Sequence, residues 1–218
     1  MTHSYTAPGS ARRLGLFGGS FDPIHSGHLA AAHAAQAAFH LDRVVFVPAA
    51  QPPHKLGRKL APGPDRMEMV RLAIADEPTW SACDLEFERS GPSYTLDTVR
   101  QLRARLGEDS PASIWLLLGS DNLPGLSGWH GVEALLKEVW PIVIQRDQDA
   151  GALPVKFDES LTPEAVERLR AGFLTLPVAP GRSTDLREAL GDGQEDPEHL
   201  PEAVATYIRS RGLYGGQG

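Results

Sequence analysis

The feature that most constrains this chain is a rhythm of short apolar runs, each followed by a stretch of helical composition. RLGLFG precedes HLAAAHAAQAAF, and RVVFVPA precedes DRMEMVRLAIAD. WSACDLEFER alternates as a strand does and precedes SYTLDTVRQLRARLG. SIWLLLGS, WPIVIQR and FLTLPVA follow, and the last leads into STDLREALG. A strand that is apolar throughout is buried on both faces, which requires helices above and below the sheet. Repeated strand-then-helix order builds parallel strands joined by right-handed crossovers. The expected fold is therefore α/β, a doubly wound, mostly parallel sheet with helices on both faces. Ligands in such sheets sit beyond the carboxyl ends of the strands.

Several further limits come from composition. A length of 218 residues suits one α/β domain, expected over 12–218, with the small polar residues 1–11 as a flexible tail. The segments AQPPHKLGRKLAPGP and 147–161 are expected to be loops. The net charge of −7 argues against a nucleic-acid partner but leaves a small anionic ligand open. Cys83 is the only cysteine, which excludes an internal disulfide and a cysteine-based zinc site. The N-terminus lacks the apolar core of a secretory signal, and no apolar run approaches the ~20 residues that span a bilayer. No membrane partner and a cytoplasmic location are expected. Trp80, Trp115 and Trp140 lie in strand-like runs and are expected in the core.

Chemistry gathers at the first strand end, in GGSFDPIHSGHL. Gly18, Gly19 and Ser20 form a turn aimed at a helix starting near Ser26. Free backbone N–H groups and the helix dipole favour phosphate there, and glycines let it approach. Neither GxGxxG nor a Walker GK[ST] is present, so the glycines alone carry little. His25 and His28 are three residues apart and share one side of the first turn. A donor on each could hold phosphate oxygens as charge grows in a transition state. Solvated cap residues and metal ligands are the competing readings, although no carboxylate or cysteine stands at a matching position. His33 is turned to another face and reads as surface or packing.

The segment GGSFDPIHSGHL resembles the signature of the nucleotidyltransferase superfamily with the HxGH motif. The fuller resemblance is to bacterial nicotinate-nucleotide adenylyltransferases. QPPHK, SYTLDT, LLLGSDNL, GWH, STDLR and YIRSRGLY stand in that family's order, over about residues 13–214. The resemblance implies a Rossmann-like fold and the transfer of AMP from ATP to nicotinic acid mononucleotide, giving deamido-NAD and pyrophosphate in NAD biosynthesis. The mononucleotide phosphate would attack the ATP α-phosphorus in line, with no protein nucleophile.

By that resemblance His25, His28 and Arg187 are the catalytic residues. Gly18, Gly19, Ser20 and Phe21, with Gly119, Ser120, Asp121 and Arg146, contact ATP, together with Ser183 and Thr184. Lys55 and His54 in the basic loop, Thr95, and Trp129 stacking on the pyridine ring receive the mononucleotide. Gly181-Arg182 stand where the family usually has Ile-Ser, so one hydroxyl is lost and one base gained. Mg²⁺ is expected to be held mainly by the ATP phosphates and water, which fits its chemistry. Asp22-Pro23 is expected to shape the turn rather than bind that ion.

Four rivals stay open at this point. One is an adenylyltransferase for phosphopantetheine, which usually lacks the PPHK, SYT and GWH combination. Another acts on nicotinamide mononucleotide. The third is a nucleotide-binding regulator without turnover, against which both histidines and Arg187 weigh. A histidine metal-binding protein ranks last.

Overall fold

The computed structural model describes residues 12–53, 60–107, 110–146, 160–176 and 181–215. The expected tail 1–11 and residues 54–59 of the basic loop lie outside them. Six strands form one sheet: β1 (Arg13–Gly19), β2 (Arg43–Pro48), β3 (Trp80–Ala82), β4 (Ser113–Gly119), β5 (Trp140–Arg146) and β6 (Phe173–Leu176). The order is β3-β2-β1-β4-β5-β6, and every pairing is parallel. Strand order reverses between β1 and β4, so their carboxyl ends open a crevice beside which ligands bind in such sheets.

The central strands β1, β2, β4 and β5 are buried on both faces over most of their length, as their unbroken apolar runs require. Leu14 and Leu16 of β1, with Leu116 of β4, face one core. There they pack against α3 (Thr95–Leu106), α4 (Val132–Glu138) and α5 (Pro163–Ala171). Phe17 and Leu117 face the other core, packed against α1 (Ser26–Phe39), α2 (Gly63–Ala73), α6 (Ser183–Gly191) and α7 (Glu202–Arg211). Period-two alternation thus sends successive side chains into two cores. Gly15 belongs on the second face because a Cβ there would lie 2.9 Å from Leu41 Cδ1. Among the described residues no helix is long and apolar enough to cross a membrane.

Two expectations need correction. WSACDLEFER is not one strand. β3 pairs with β2 over only three residues, after which Leu85–Glu88 form a 3-10 turn that buries Leu85 and Glu86. An edge strand has one neighbour to hold it extended, and here the next residues gain more by turning under the sheet. Trp140 is not core: it is 46% exposed. β6 begins opposite Val143, so it does not reach the start of β5 and leaves Trp140 uncovered. Its ring instead stacks on Trp115 at 5.7 Å and lies beneath the Arg168 guanidinium at 4.2 Å. Trp115 is half-buried, whereas Trp80 is buried as expected.

Candidate active site

A cavity of about 780 Å³ lies at the carboxyl ends of β1 and β4. One side is built by the last two residues of β1, which are still paired with β2, and by the turn after them. Gly18, Gly19 and Ser20 line it, and a Cβ on Gly18 would meet nothing within 4 Å. His25 and His28 stand beside that turn with rings 3.9 Å apart, both on the cavity wall.

The histidines are also the N-terminal cap of α1. His25 is the N-cap residue in extended backbone, and its Nδ1 accepts from Gly27 N at 3.1 Å. His28 Nδ1 accepts from His25 N at 3.3 Å. This is the reciprocal pattern of a capping box, with imidazoles in place of the usual hydroxyl and carboxylate. An Nδ1 that accepts carries no proton, so each neutral ring holds its proton on Nε2 and is an Nε2–H donor. The cap reading and the phosphate reading are therefore compatible, because these capping bonds use only the Nδ1 edge of each ring.

Phe21, expected among the ATP contacts, does not line the cavity. Its ring is 1% exposed and packs edge-on against Phe17 at 5.5 Å and near His28 at 5.1 Å. It is a floor under His28 rather than part of the wall.

The second side is the start of α6. Arg182, Ser183, Thr184 and Arg187 line the cavity. Ser183 Oγ donates to Pro23 O at 3.0 Å, so this hydroxyl ties α6 to the first turn. Arg187 Nη1 donates to Asp22 O at 2.6 Å and Nη2 to Thr184 Oγ1 at 3.2 Å. Arg182, at the N-cap of α6, makes no side-chain cap bond and is exposed on the cavity wall.

The far wall carries Gly119, Ser120 and Asp121, where β4 runs into a 3-10 stretch over Ser120–Gly128. Asn122 Nδ2 bridges Gly119 O at 3.1 Å and Asp121 Oδ1 at 3.3 Å, holding that turn. Thr95, at the start of α3, and Trp129 complete the wall. Arg146 ends β5, paired with Leu176, and its side chain is outside the described residues. So are Lys55 and His54.

Several wall and support residues escaped the sequence reading. Tyr94 and His130 both line the cavity and stack at 4.5 Å, beside Thr95 and Trp129. Glu86 lies on the wall too, 5% exposed, and accepts from Thr98 Oγ1 at 2.6 Å with Arg89 Nη2 3.7 Å away. Arg66 is 2% exposed and clasps three loop carbonyls: Nε to Ala61 O at 2.9 Å, and Nη1 to Ser20 O at 2.8 Å and Ala49 O at 2.7 Å. Burial pushes its guanidinium below the usual arginine range, and the Asp22 carboxylate opposes that shift. Arg66 reads in the sequence as an ordinary helix charge. Only the spacing of Tyr94 in SYT and of His130 in GWH offered a signal.

Asp22 is 1% exposed and sits behind the wall, within the turn as expected. Among the described residues no group of three or more His, Cys, Asp or Glu side chains is placed to hold a metal ion.

Comparison with known proteins fits this arrangement. A family model described as cytidylyltransferase-like matches residues 16–189. A probable nicotinate-nucleotide adenylyltransferase of Gloeobacter violaceus is 44% identical over 206 residues, 93% of this chain and 96% of that protein. One from Dehalococcoides mccartyi is 36% identical over 202 residues, 93% of this chain and 97% of that protein. Among solved structures, the nicotinic acid mononucleotide adenylyltransferase of Plasmodium falciparum complexed with NaAD superposes with a TM-score of 0.66 at 19% identity. That match covers 93% of this chain and 97% of the other, and at such identity it speaks for the fold.

Proposed function

Since the chain belongs to the nicotinate-nucleotide adenylyltransferase family, we propose that it joins nicotinic acid mononucleotide to the AMP moiety of ATP by direct in-line displacement. The mononucleotide 5′-phosphate oxygen bonds to the α-phosphorus, the bond from that phosphorus to the bridging oxygen breaks, and pyrophosphate leaves. The products are nicotinic acid adenine dinucleotide and pyrophosphate. The attacking oxygen is already anionic, so no proton has to be removed from it. Catalysis is positioning and charge stabilisation.

The observation that carries this reading is one cavity lined by two imidazoles, two glycines at a strand end and Arg187. In this role the Nε2–H groups of His25 and His28 donate to phosphate oxygens whose charge rises as the leaving group departs. Arg187 and Arg182 take the outer phosphates. Gly18, Gly19, Ser20 and the Gly119–Asp121 turn hold the rest of ATP, with Arg146 nearby and Asp121 accepting from sugar hydroxyls. Thr184 assists from the α6 start, whereas Ser183 serves by tying that start to Pro23. Thr95 and Trp129 take the pyridine ring, and Lys55 with His54 its phosphate. Tyr94 and His130 brace that end.

Mg²⁺ enters with ATP. Without a carboxylate cluster among the described residues, the donor set suits an ion held by phosphate oxygens and water. Bound so, it neutralises phosphate charge. Free, buried Cys83 suits a reducing cytoplasm.

A side-by-side assay tests the assignment. Pyrophosphate release from ATP is followed with nicotinic acid mononucleotide, nicotinamide mononucleotide or phosphopantetheine. The acid mononucleotide is expected to give the highest kcat/KM. Release that needs no acceptor, or that is fastest with phosphopantetheine, refutes it.

A further inference from the structure

The closing motif YIRSRGLY found no role in the reaction, yet its last residue reaches the phosphate turn. Tyr214 Oη donates to Asp22 Oδ1 at 2.7 Å, across 192 positions of sequence. Ala61 N, where the chain returns from the basic loop, donates to the same oxygen at 3.0 Å. The other carboxylate oxygen, Oδ2, is equally shut off from solvent and has no hydrogen-bond donor. Its nearest described cation is Arg187, with Nη1 at 3.7 Å, while that nitrogen donates to the Asp22 carbonyl at 2.6 Å. Asp22 thus offers Arg187 two acceptors on one residue, one bonded and one held ready.

The geometry points to Asp22 and Tyr214 as positioning residues for Arg187: the C-terminal phenol fixes the Asp22 carboxylate, and Asp22 aims the guanidinium at the phosphate end of the cavity. This rests on the assigned phosphate role of Arg187. A guanidinium has five donors in a rigid fork, so one edge can stay on Asp22 while the other meets phosphate. A carboxylate as buried as Asp22 is costly unless its partners are fixed. Two donors on Oδ1 leave the unbonded Oδ2 to arginine. Tyr214 keeps its donor role because burial, followed by the Asp22 charge, pushes its phenol well above the usual tyrosine range. Its backbone is left-handed, with φ at 62°, a costly conformation for a tyrosine.

A purely structural bond would behave differently, and the protein supplies the control. Tyr207 Oη makes a like bond to Asp65 Oδ1 at 2.8 Å, between α7 and α2. Asp65 is met by Arg211, which does not line the cavity, whereas Asp22 holds Arg187, which does.

The test combines steady-state kinetics, ATP affinity by calorimetry and melting temperature for the wild type, Tyr214→Phe, Tyr207→Phe, Asp22→Asn and the Asp22→Asn/Tyr214→Phe double variant. Tyr214→Phe is expected to lower kcat/KM for ATP about 3- to 10-fold, less than the full worth of a bond to a charged group because Tyr214 acts on ATP only through Arg187. Its KM for the mononucleotide is expected to stay within about twofold. Tyr207→Phe is expected to melt comparably lower with unchanged kinetics. In the Asp22→Asn background the Tyr214 change is expected to add less than about twofold, since both act through one contact. Wild-type ATP kinetics in Tyr214→Phe, an equal loss in Tyr207→Phe, or full multiplication in the double variant overturns the proposal. Should Asp22→Asn not accumulate as folded protein, Arg187→Lys replaces it in the cycle. A wild type that binds ATP but makes no dinucleotide refutes the assigned reaction, and the ATP affinity of Tyr214→Phe then decides the positioning role by itself.

Discussion

Replacing His25 by Asn and by Ala separates its two jobs. The cap uses Nδ1, which accepts from Gly27 N at 3.1 Å, and chemistry is assigned to Nε2 on the opposite edge of the ring. An Asn carbonyl oxygen can occupy the place of Nδ1, and Asn is among the best N-cap residues. It carries nothing at the place of Nε2. Loss of a cap to Ala costs about 1 kcal/mol. The ring is also 3% exposed and sits against His28, so truncation leaves unfilled space. We assign that term roughly 1–2 kcal/mol, in the lower part of the range for large-to-small core changes. His25→Ala should thus lose about 2–3 kcal/mol. At roughly 2–4 °C per kcal/mol for a chain of this size, the melting temperature falls by about 4–12 °C. His25→Asn keeps the cap and is expected to fall by less than about half as much. Both variants lose the same phosphate donor, and one such donor is worth about 10²–10³ in kcat. Scanning fluorimetry reads the first quantity and pyrophosphate release the second. The reasoning fails if His25→Asn keeps kcat within about tenfold of wild type, because the imidazole would then serve the helix alone. It also fails if Asn and Ala melt together, because Nδ1 would then not be a cap.

His28→Ala is expected to lose most turnover while remaining folded by circular dichroism, and normal turnover would remove its phosphate role. Trp129→Ala is expected to raise KM for the mononucleotide more than for ATP, because the ring lies at the end of the cavity with Thr95, Tyr94 and His130; the reverse order refutes the stacking assignment. Cys83 is 1% exposed, and burial pushes its thiol up to about 11. Iodoacetamide at about pH 8 is therefore expected to label it only after unfolding. The sign for stability follows: the unfolded thiol ionises first, so its contribution is full below the unfolded value of about 8.5 and is lost as pH rises through about 11. Rapid labelling of the native protein, read by mass spectrometry, would contradict that burial.

The fold was legible because its signal is local and repeated. Each of β1, β2, β4 and β5 is an apolar run too short for a helix and too continuous for a solvated strand. The glycine turn, the paired histidines and STDLR were legible as motifs, and the structure brings all three to one cavity. What stayed hidden depends on contacts across the chain. Nothing local marks Arg66 as different from Arg71, yet one clasps three loops and the other lies on the surface. Asp22 reads as a turn former; that Tyr214 and Arg187 converge on it is a tertiary fact. Trp140 was misread because a strand's burial depends on how far its neighbour extends, which β6 decides.

The charge of the whole chain was equally uninformative about the site, and the structure gives the reason. A net charge of −7 neither favours nor excludes a triphosphate and a second phosphate. Surface acids further than a Debye length of about 8 Å are screened at physiological salt, so the balance that matters is within the cavity. There the two buried acids are spoken for. Asp22 lies behind the wall, bonded by Tyr214 and Ala61 and faced by Arg187. Glu86 lies on the wall, bonded by Thr98 and faced by Arg89. Asp121 is exposed, at the place where sugar hydroxyls rather than phosphates are assigned. The groups that line the cavity on the side assigned to the phosphates are Arg182, Arg187, the two imidazoles and the glycines that end β1. Those acids therefore act as orienting anchors for cations rather than as competitors for the ligand. Removing the acid at Asp22 should consequently harm ATP use, although it makes the site more positive; a gain in ATP affinity on Asp22→Asn would show that Asp22 repels phosphate instead of aiming Arg187.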